Sequence, residues 1–153
     1  MTQMHKMIKI LLVEDNPDDI DITKRALKDA KIINQLWLAR DGQEAVDFLQ
    51  HKGAFQDPAT SPKPGLVLLD INLPKINGIE VLRIIKQDPE LKMIPVVMLT
   101  VSKRDEDVIK SYNDGCNSFI QKPVNFENFV EVIKQVSLYW GLLNIFPANG
   151  TVE

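Results

Sequence analysis

The stretch that decides the fold is residues 66–82, which read LVLLDINLPKINGIEVL. Its first four residues, 66–69, are all apolar, and such a run is typical of a strand buried on both faces of a parallel sheet. The run ends at Asp70, a proline-containing loop follows, and residues Gly78 to Gln87 then carry apolar side chains at helical spacing. The stretch therefore predicts a strand, a loop and a helix, with a carboxylate where the strand ends.

The same alternation recurs along the chain. Further strands are predicted at Ile8–Val13, Gln35–Ala39, Ile94–Leu99 and Ser118–Ile120. Helical patterns follow at Asp18–Ala30, Gln43–His51, Asp105–Asn113 and Asn125–Trp140. Strand then helix, five times, favours an open α/β sheet with helices on both faces, and right-handed crossovers leave few topologies. Residues 53–65 hold three prolines and predict an exposed loop.

The composition limits the classes of protein to consider. The 153 residues, 44% hydrophobic and 25% charged, suit one domain with a real core. A net charge of −3 provides no basic field for nucleic acid. No apolar run approaches the roughly 20 residues that span a bilayer, and the N-terminus does not resemble a signal peptide. The single cysteine, Cys116, excludes an internal disulfide, so we expect a cytoplasmic protein. From the charge and the lack of a long apolar run, we expect neither nucleic-acid nor membrane partners.

Acidic residues stand where the predicted strands end. Glu14 and Asp15 follow the first strand and Asp70 follows the third. In an open α/β sheet the ligand site lies beyond the carboxyl ends of the strands, so three carboxylates should converge there. Their mutual repulsion is relieved by a dication. An all-oxygen site favours Mg²⁺, Ca²⁺ or Mn²⁺, and Mg²⁺ commonly binds through carboxylates together with phosphate oxygens.

A hydroxyl and an ammonium are predicted at the same edge. Thr100 follows the fourth strand and Lys122 follows the fifth. The lysine can neutralise one phosphoryl oxygen and the threonine can hydrogen-bond another. Phosphoryl transfer needs little beyond positioning and charge neutralisation, and a carboxylate can be the nucleophile. Asp70 is the best candidate acceptor because it is single and central.

Four segments together resemble the receiver domains of two-component response regulators. They are LLVEDN (11–16), LLDINLPKINGIEVL (68–82), MLT (98–100) and QKP (121–123). The resemblance covers about residues 7–138 and implies a (βα)5 flavodoxin-like fold with a doubly wound parallel sheet in the order 2-1-3-4-5. It implies a receiver domain over residues 1–140 that takes a phosphoryl group from a histidine kinase onto Asp70. Such a protein is a signalling switch, and it catalyses only its own phosphorylation and slow dephosphorylation.

The resemblance also implies a role for individual residues in metal binding. Asp15 is similar to the direct Mg²⁺ ligand of receivers, and Glu14 to the acid that acts mainly through water. Asp70 is similar to a further ligand of the metal, and the backbone carbonyl of Asn72 should complete the coordination of the ion.

A second group of residues resembles the receiver switch. Thr100 and Lys122 look like the switch hydroxyl and the phosphate-binding lysine, and Lys122 should precede a cis bond to Pro123. Phe119 falls where receivers have an aromatic side chain that changes rotamer. The signal would then pass through the fourth helix, the fifth strand and the fifth helix. Val101 departs from the small residue usual after the threonine, and its branched side chain should narrow access to the phosphate.

The long loop at 53–65 and the tail after Trp140 resemble the small receivers that partner cyanobacterial phytochromes. The tail, residues 141–153, begins apolar. It either folds back on its own domain or forms a homodimer interface with the fourth and fifth helices and the fifth strand.

Two other classes of protein are possible on such a sheet. A phosphatase with an aspartate nucleophile would need a DxDx[TV] loop after the first strand, where this chain has EDNPDD. A pseudo-receiver that acts purely as a binding module would not need intact Asp70, Asp15 and Lys122.

Overall fold

The computed structural model describes residues 8–31, 34–101, 104–105 and 118–132. Within them, five strands form one parallel sheet in the order β2-β1-β3-β4-β5. The strands are β1 (Ile8–Val13), β2 (Asn34–Ala39), β3 (Leu66–Asp70), β4 (Val96–Thr100) and β5 (Ser118–Gln121). The predicted doubly wound, flavodoxin-like fold is confirmed.

Three helices are described from end to end. They are α1 (Pro17–Asp29), α2 (Gly42–Gln50) and α3 (Gly78–Gln87), and residues 126–132 are also helical. Beyond Asp105, the helix predicted to reach Asn113 lies outside the described residues, as do residues 133–140 of the last predicted helix. Across the described ranges, no helix combines the length and apolarity that a bilayer span requires.

The three central strands, β1, β3 and β4, are buried almost throughout, as their apolar runs predict. On one face of the sheet lies the α1 layer, which includes Ile10, Leu12, Leu27, Leu68 and Phe129. On the other lies the α2/α3 layer, which includes Leu11, Val13, Phe48, Leu69 and Leu82. Every residue of the central strand β3 is buried, so Asp70 at its end is buried as well.

The predicted start of the fourth strand is wrong by two residues. The strand begins at Val96, whereas the backbone N–H of Ile94 donates to the carbonyl of Leu91 at 3.0 Å in the turn after α3. The Ile94 side chain is nevertheless buried. An apolar run indicates which residues are buried, not which residues pair in a strand. Here the buried residues extend into a turn before the strand, so the predicted strand began too early.

The segment 53–65 is not wholly exposed, contrary to the prediction. It begins with a 3-10 turn at Gly53–Phe55, and Ser61 is buried. The indole Nε1 of Trp37 donates to the carbonyl of Thr60 at 3.1 Å, and the ring of Phe55 lies 5.4 Å from that of Phe48. Aromatic residues of β2 and α2 therefore hold this segment against the domain.

Candidate metal and phosphate site

The order of the strands brings three carboxylates together. Glu14 follows β1 and Asp70 ends β3, and these two strands are neighbours paired through Val13 and Leu69. Oxygen atoms of Glu14, Asp15 and Asp70, here called the acidic cluster, lie within 4.8 Å of one another. Glu14 and Asp70 are buried, whereas Asp15 is exposed.

Lys122 extends into the acidic cluster from the segment that follows β5. Its ammonium nitrogen Nζ lies 2.8 Å from Glu14 Oε1 and 3.1 Å from Asp70 Oδ1. The backbone N–H of Lys122 donates to the carbonyl of Thr100 at 2.6 Å, which ties the lysine to the end of β4. The following peptide bond, to Pro123, is cis. The structure therefore brings together the ammonium and the two buried acids named by the sequence.

Burial and charge act in opposite directions on the pKa values of this site. Desolvation raises the pKa values of Glu14 and Asp70, although the Lys122 ammonium opposes the rise. Desolvation would lower the pKa of Lys122, but its bonds to carboxylates outweigh burial and raise the pKa above the ordinary value. The lysine is therefore a cation at neutral pH.

The residues at this edge fit a hard divalent cation. The acidic cluster offers only oxygen donors, and among the described residues the Lys122 ammonium contacts two of its three carboxylates. Among metals, such a donor set suits Mg²⁺, Mn²⁺ or Ca²⁺. A dication would neutralise the excess negative charge of the cluster. It would also offset the free energy that burial of the Glu14 and Asp70 carboxylates costs. The cluster could therefore hold a metal, and its oxygen donors do not by themselves select Mg²⁺.

The loop after β3 is held by two glycines. A Cβ on Gly78 would lie 2.1 Å from the carbonyl oxygen of Asp70, and one on Gly42 would lie 1.8 Å from that of Ile76. The Gly42 N–H donates to the carbonyl of Pro74 at 3.2 Å. Within the loop, the Asn72 backbone opposes the rise that burial causes in the pKa of Asp70. Coordination of a metal by the Asn72 carbonyl stays a prediction.

The proposed switch residues occupy the far side of the same edge. Thr100 ends β4 fully buried, and its Oγ1 has no hydrogen-bond partner among the described residues. Phe119 lies in β5, half-buried against the α2/α3 layer. Val101 is 54% exposed, and its backbone N–H donates to Asp105 Oδ2 at 3.1 Å. Their roles as switch and access residues stay predictions.

One residue of the site was missed by the sequence reasoning. The Lys122 Nζ also donates to Oδ2 of Asp19, in the first turn of α1, at 3.0 Å. Asp19 belongs to the run EDNPDD, but its spacing does not distinguish it from its acidic neighbours Asp18 and Asp21. Only the rotation of α1 against the sheet shows which acid faces the lysine.

Comparison with known proteins identifies the family. The family model "Response regulator receiver domain" matches residues 10–134. Response regulator Rcp1 of Synechocystis sp. is 43% identical over 131 residues, which are 86% of this chain and 87% of Rcp1. The solved bacteriophytochrome response regulator RtBRR is 41% identical, with a TM-score of 0.82 over 88% of this chain and 81% of that one.

A further solved structure bears on the metal. The Mn²⁺-bound form of Rcp1 is 40% identical, with a TM-score of 0.69 over 95% of this chain and 99% of that one. Receiver-domain response regulators are signalling proteins that receive a phosphoryl group from a histidine kinase, and they are not enzymes in the usual sense. The chain belongs to the response regulator receiver-domain family, and it is related to the phytochrome-associated response regulators.

Proposed function

We propose that this chain is a response regulator receiver domain that accepts a phosphoryl group on Asp70 in a Mg²⁺-dependent reaction. The observation that carries the proposal is the contact of 3.1 Å between Lys122 Nζ and Asp70 Oδ1, inside a cluster of three carboxylates. This contact supports the proposal because it sets the proposed nucleophile beside an ammonium and beside carboxylate oxygens that could hold a metal.

The chemistry needs only one nucleophilic oxygen. An Asp70 carboxylate oxygen attacks the phosphorus of a phosphohistidine, the new O–P bond forms as the P–N bond breaks, and the imidazole nitrogen leaves with the bonding pair and takes a proton from water. Mg²⁺ held by Glu14, Asp15, Asp70 and the carbonyl of Asn72 would supply charge neutralisation. Lys122 binds one phosphoryl oxygen as a point charge and orients it.

The proposed conformational switch begins at the buried hydroxyl of Thr100. A phosphoryl group adds about −1.5 to −2 charge units, and it brings an acceptor for the Thr100 hydroxyl, which has no partner among the described residues. Movement of Thr100 toward the phosphoryl group leaves room for Phe119 to turn inward. The surface of the fourth helix, the fifth strand and the fifth helix then changes.

The partner we propose is a histidine kinase of the phytochrome type. The support is the likeness to Rcp1 and to a bacteriophytochrome response regulator, at 43% and 41% identity. The cytoplasmic location expected from the single cysteine stays a prediction.

We also propose a homodimer formed by the fourth helix, the fifth strand, the fifth helix and the tail. The tail, residues 141–153, and the end of the receiver domain at residue 140 lie outside the described residues. The support is the apolar start of the tail, which favours a contact over free exposure to water. Deletion of residues 141–153 should weaken self-association, and an unchanged monomer–dimer balance in sedimentation would count against the dimer.

A phosphodonor assay with turnover measurement separates the candidate functions. Incubated with acetyl phosphate and Mg²⁺, a receiver gains one phosphoryl group per chain and loses it slowly. A phosphatase would release phosphate over many turnovers, and a pseudo-receiver would take up none. Either of the last two results would reject the proposed function.

A further inference from the structure

Lys122 holds a third carboxylate that lies outside the acidic cluster. Its Nζ contacts Glu14 Oε1 at 2.8 Å, Asp19 Oδ2 at 3.0 Å and Asp70 Oδ1 at 3.1 Å. A lysine ammonium has three hydrogens and no acceptor. Carboxylate oxygens of all three residues lie within 3.1 Å of the ammonium, and among the described residues the contact with Asp19 is the one that has hydrogen-bond geometry.

A phosphoryl oxygen on Asp70 therefore has to compete with these three partners for the ammonium. Glu14 and Asp70 come from adjacent strand ends and belong to the acidic cluster, whereas Asp19 comes from α1. The Asp19 side chain is 27% exposed, against 0% for Glu14 and 4% for Asp70. Water can solvate the Asp19 carboxylate once it leaves Lys122, so Asp19 is the partner whose release costs the least free energy.

We propose that Asp19 is a positioning residue that accepts a hydrogen bond from the Lys122 ammonium before phosphorylation and yields that hydrogen to the phosphoryl oxygen afterwards. The proposal rests on the proposed function, because it requires a phosphoryl group on Asp70. Asp19 then favours the unphosphorylated form, since its contact with Lys122 exists only there. Its carboxylate also repels the incoming phosphoryl charge.

The test uses beryllofluoride, a phosphoryl mimic, on the 153-residue chain at saturating Mg²⁺. Asp19→Asn replaces a charge-assisted hydrogen bond by a weaker neutral one in the free protein, so beryllofluoride should bind about 5-fold more tightly. Asp19→Ala removes the hydrogen bond altogether and should strengthen binding at least as much. The phosphoryl group on Asp70 should also live longer in both variants.

Asp18→Asn is the matched control. Asp18 lies in the same first turn of α1 and carries the same charge, but it is exposed and its side chain makes no contact with Lys122. Because salt screens such an exposed charge, Asp18→Asn should change the affinity less than about 2-fold.

A double-mutant cycle shows whether the effect passes through the lysine. In a Lys122→Gln background, Asp19→Asn should change beryllofluoride affinity no more than Asp18→Asn does, because the contact is already gone. A merely structural role of Asp19 would give the same shift in both backgrounds.

The outcomes distinguish the role of Asp19 from the phosphorylation of Asp70. Unchanged or weaker binding in Asp19→Asn, or an equal shift in Asp18→Asn, would overturn the role of Asp19 and leave phosphorylation of Asp70 intact. Failure of the parent protein itself to bind beryllofluoride or to be labelled on Asp70 would overturn the proposed function, and this inference with it.

Discussion

The Lys122 ammonium lies 3.1 Å from the Asp70 carboxylate, although the two residues belong to strand ends that are not adjacent. Asp70 ends β3, Lys122 follows β5, and β4 lies between them in the sheet. The lysine spans this gap while its backbone is tied to Thr100 at the end of β4. The contact therefore joins three strand ends into one site, and the stability of the metal-free protein should depend on it.

Lys122→Gln should destabilise the metal-free protein strongly. The change leaves the buried carboxylates of Glu14 and Asp70 without their cation, and loss of one partner of a buried pair costs about 3–5 kcal/mol. Unfolding in urea at neutral pH measures this, and added Mg²⁺ should restore part of the loss by supplying charge to the same acids.

Lys75→Gln is the control for this prediction. Lys75 makes an exposed ion pair with Asp41 at 3.5 Å, so its loss should cost less than about 1 kcal/mol. Equal urea midpoints for Lys122→Gln and the parent protein would show that the buried contact does not stabilise the fold.

Gly78→Ala should disrupt the loop that follows Asp70. The added Cβ would lie 2.1 Å from the Asp70 carbonyl oxygen, a backbone atom that cannot turn away. We expect a loss of more than about 3 kcal/mol in the free energy of unfolding, measured by chemical denaturation, together with impaired labelling of Asp70.

Gly65→Ala provides the comparison for Gly78→Ala. A Cβ there would meet only Ile8 Cγ1 at 3.7 Å and the Lys9 carbonyl oxygen at 3.8 Å, which are ordinary contacts. Its stability should stay within about 1 kcal/mol of the parent. If both alanine variants behaved alike, the tight packing of Gly78 on Asp70 would be refuted.

Thr100→Val should separate stability from switching. The Thr100 hydroxyl is buried without a hydrogen-bond partner among the described residues, so its replacement by a methyl group of similar shape should be neutral or slightly stabilising. The switch should nevertheless fail, because no hydroxyl remains to meet the phosphoryl oxygen.

Two measurements on Thr100→Val check this prediction. Thermal unfolding reports stability, and the NMR signals of a fluorine-labelled phenylalanine at Phe119, with and without beryllofluoride, report the switch. Thr100→Ser should keep the spectral response. A full response in Thr100→Val would exclude the hydroxyl from the switch.

The fold and most of the candidate site follow from where the apolar runs end. β3 is buried on both faces, so its sequence has no polar member until Asp70, and the acid marks the strand end directly. Parallel strands end at one edge, which is why Glu14 and Asp70 could be placed together without coordinates. The resemblance to receivers supplied the strand order and individual roles that the pattern leaves open.

Other features depend on packing that the sequence pattern does not encode. Asp18, Asp19 and Asp21 are all acids on one helix, and only the orientation of α1 distinguishes the one that meets Lys122. Ile94 is apolar because it is buried, yet its backbone forms a turn. The prolines of residues 53–65 indicate a loop, but its attachment to Trp37 depends on a contact across 23 positions.

The most direct test of the account is residue-resolved labelling by acetyl phosphate as the Mg²⁺ concentration is varied. We expect one phosphoryl group per chain, mapped by mass spectrometry to Asp70. No labelling should occur when the divalent cation is chelated beforehand. Labelling should be absent in Asp70→Asn and retained in Asp18→Asn. Labelling that persists in Asp70→Asn, or that proceeds equally well without a divalent cation, would contradict the claim that Asp70 accepts a phosphoryl group beside a metal held by the acidic cluster.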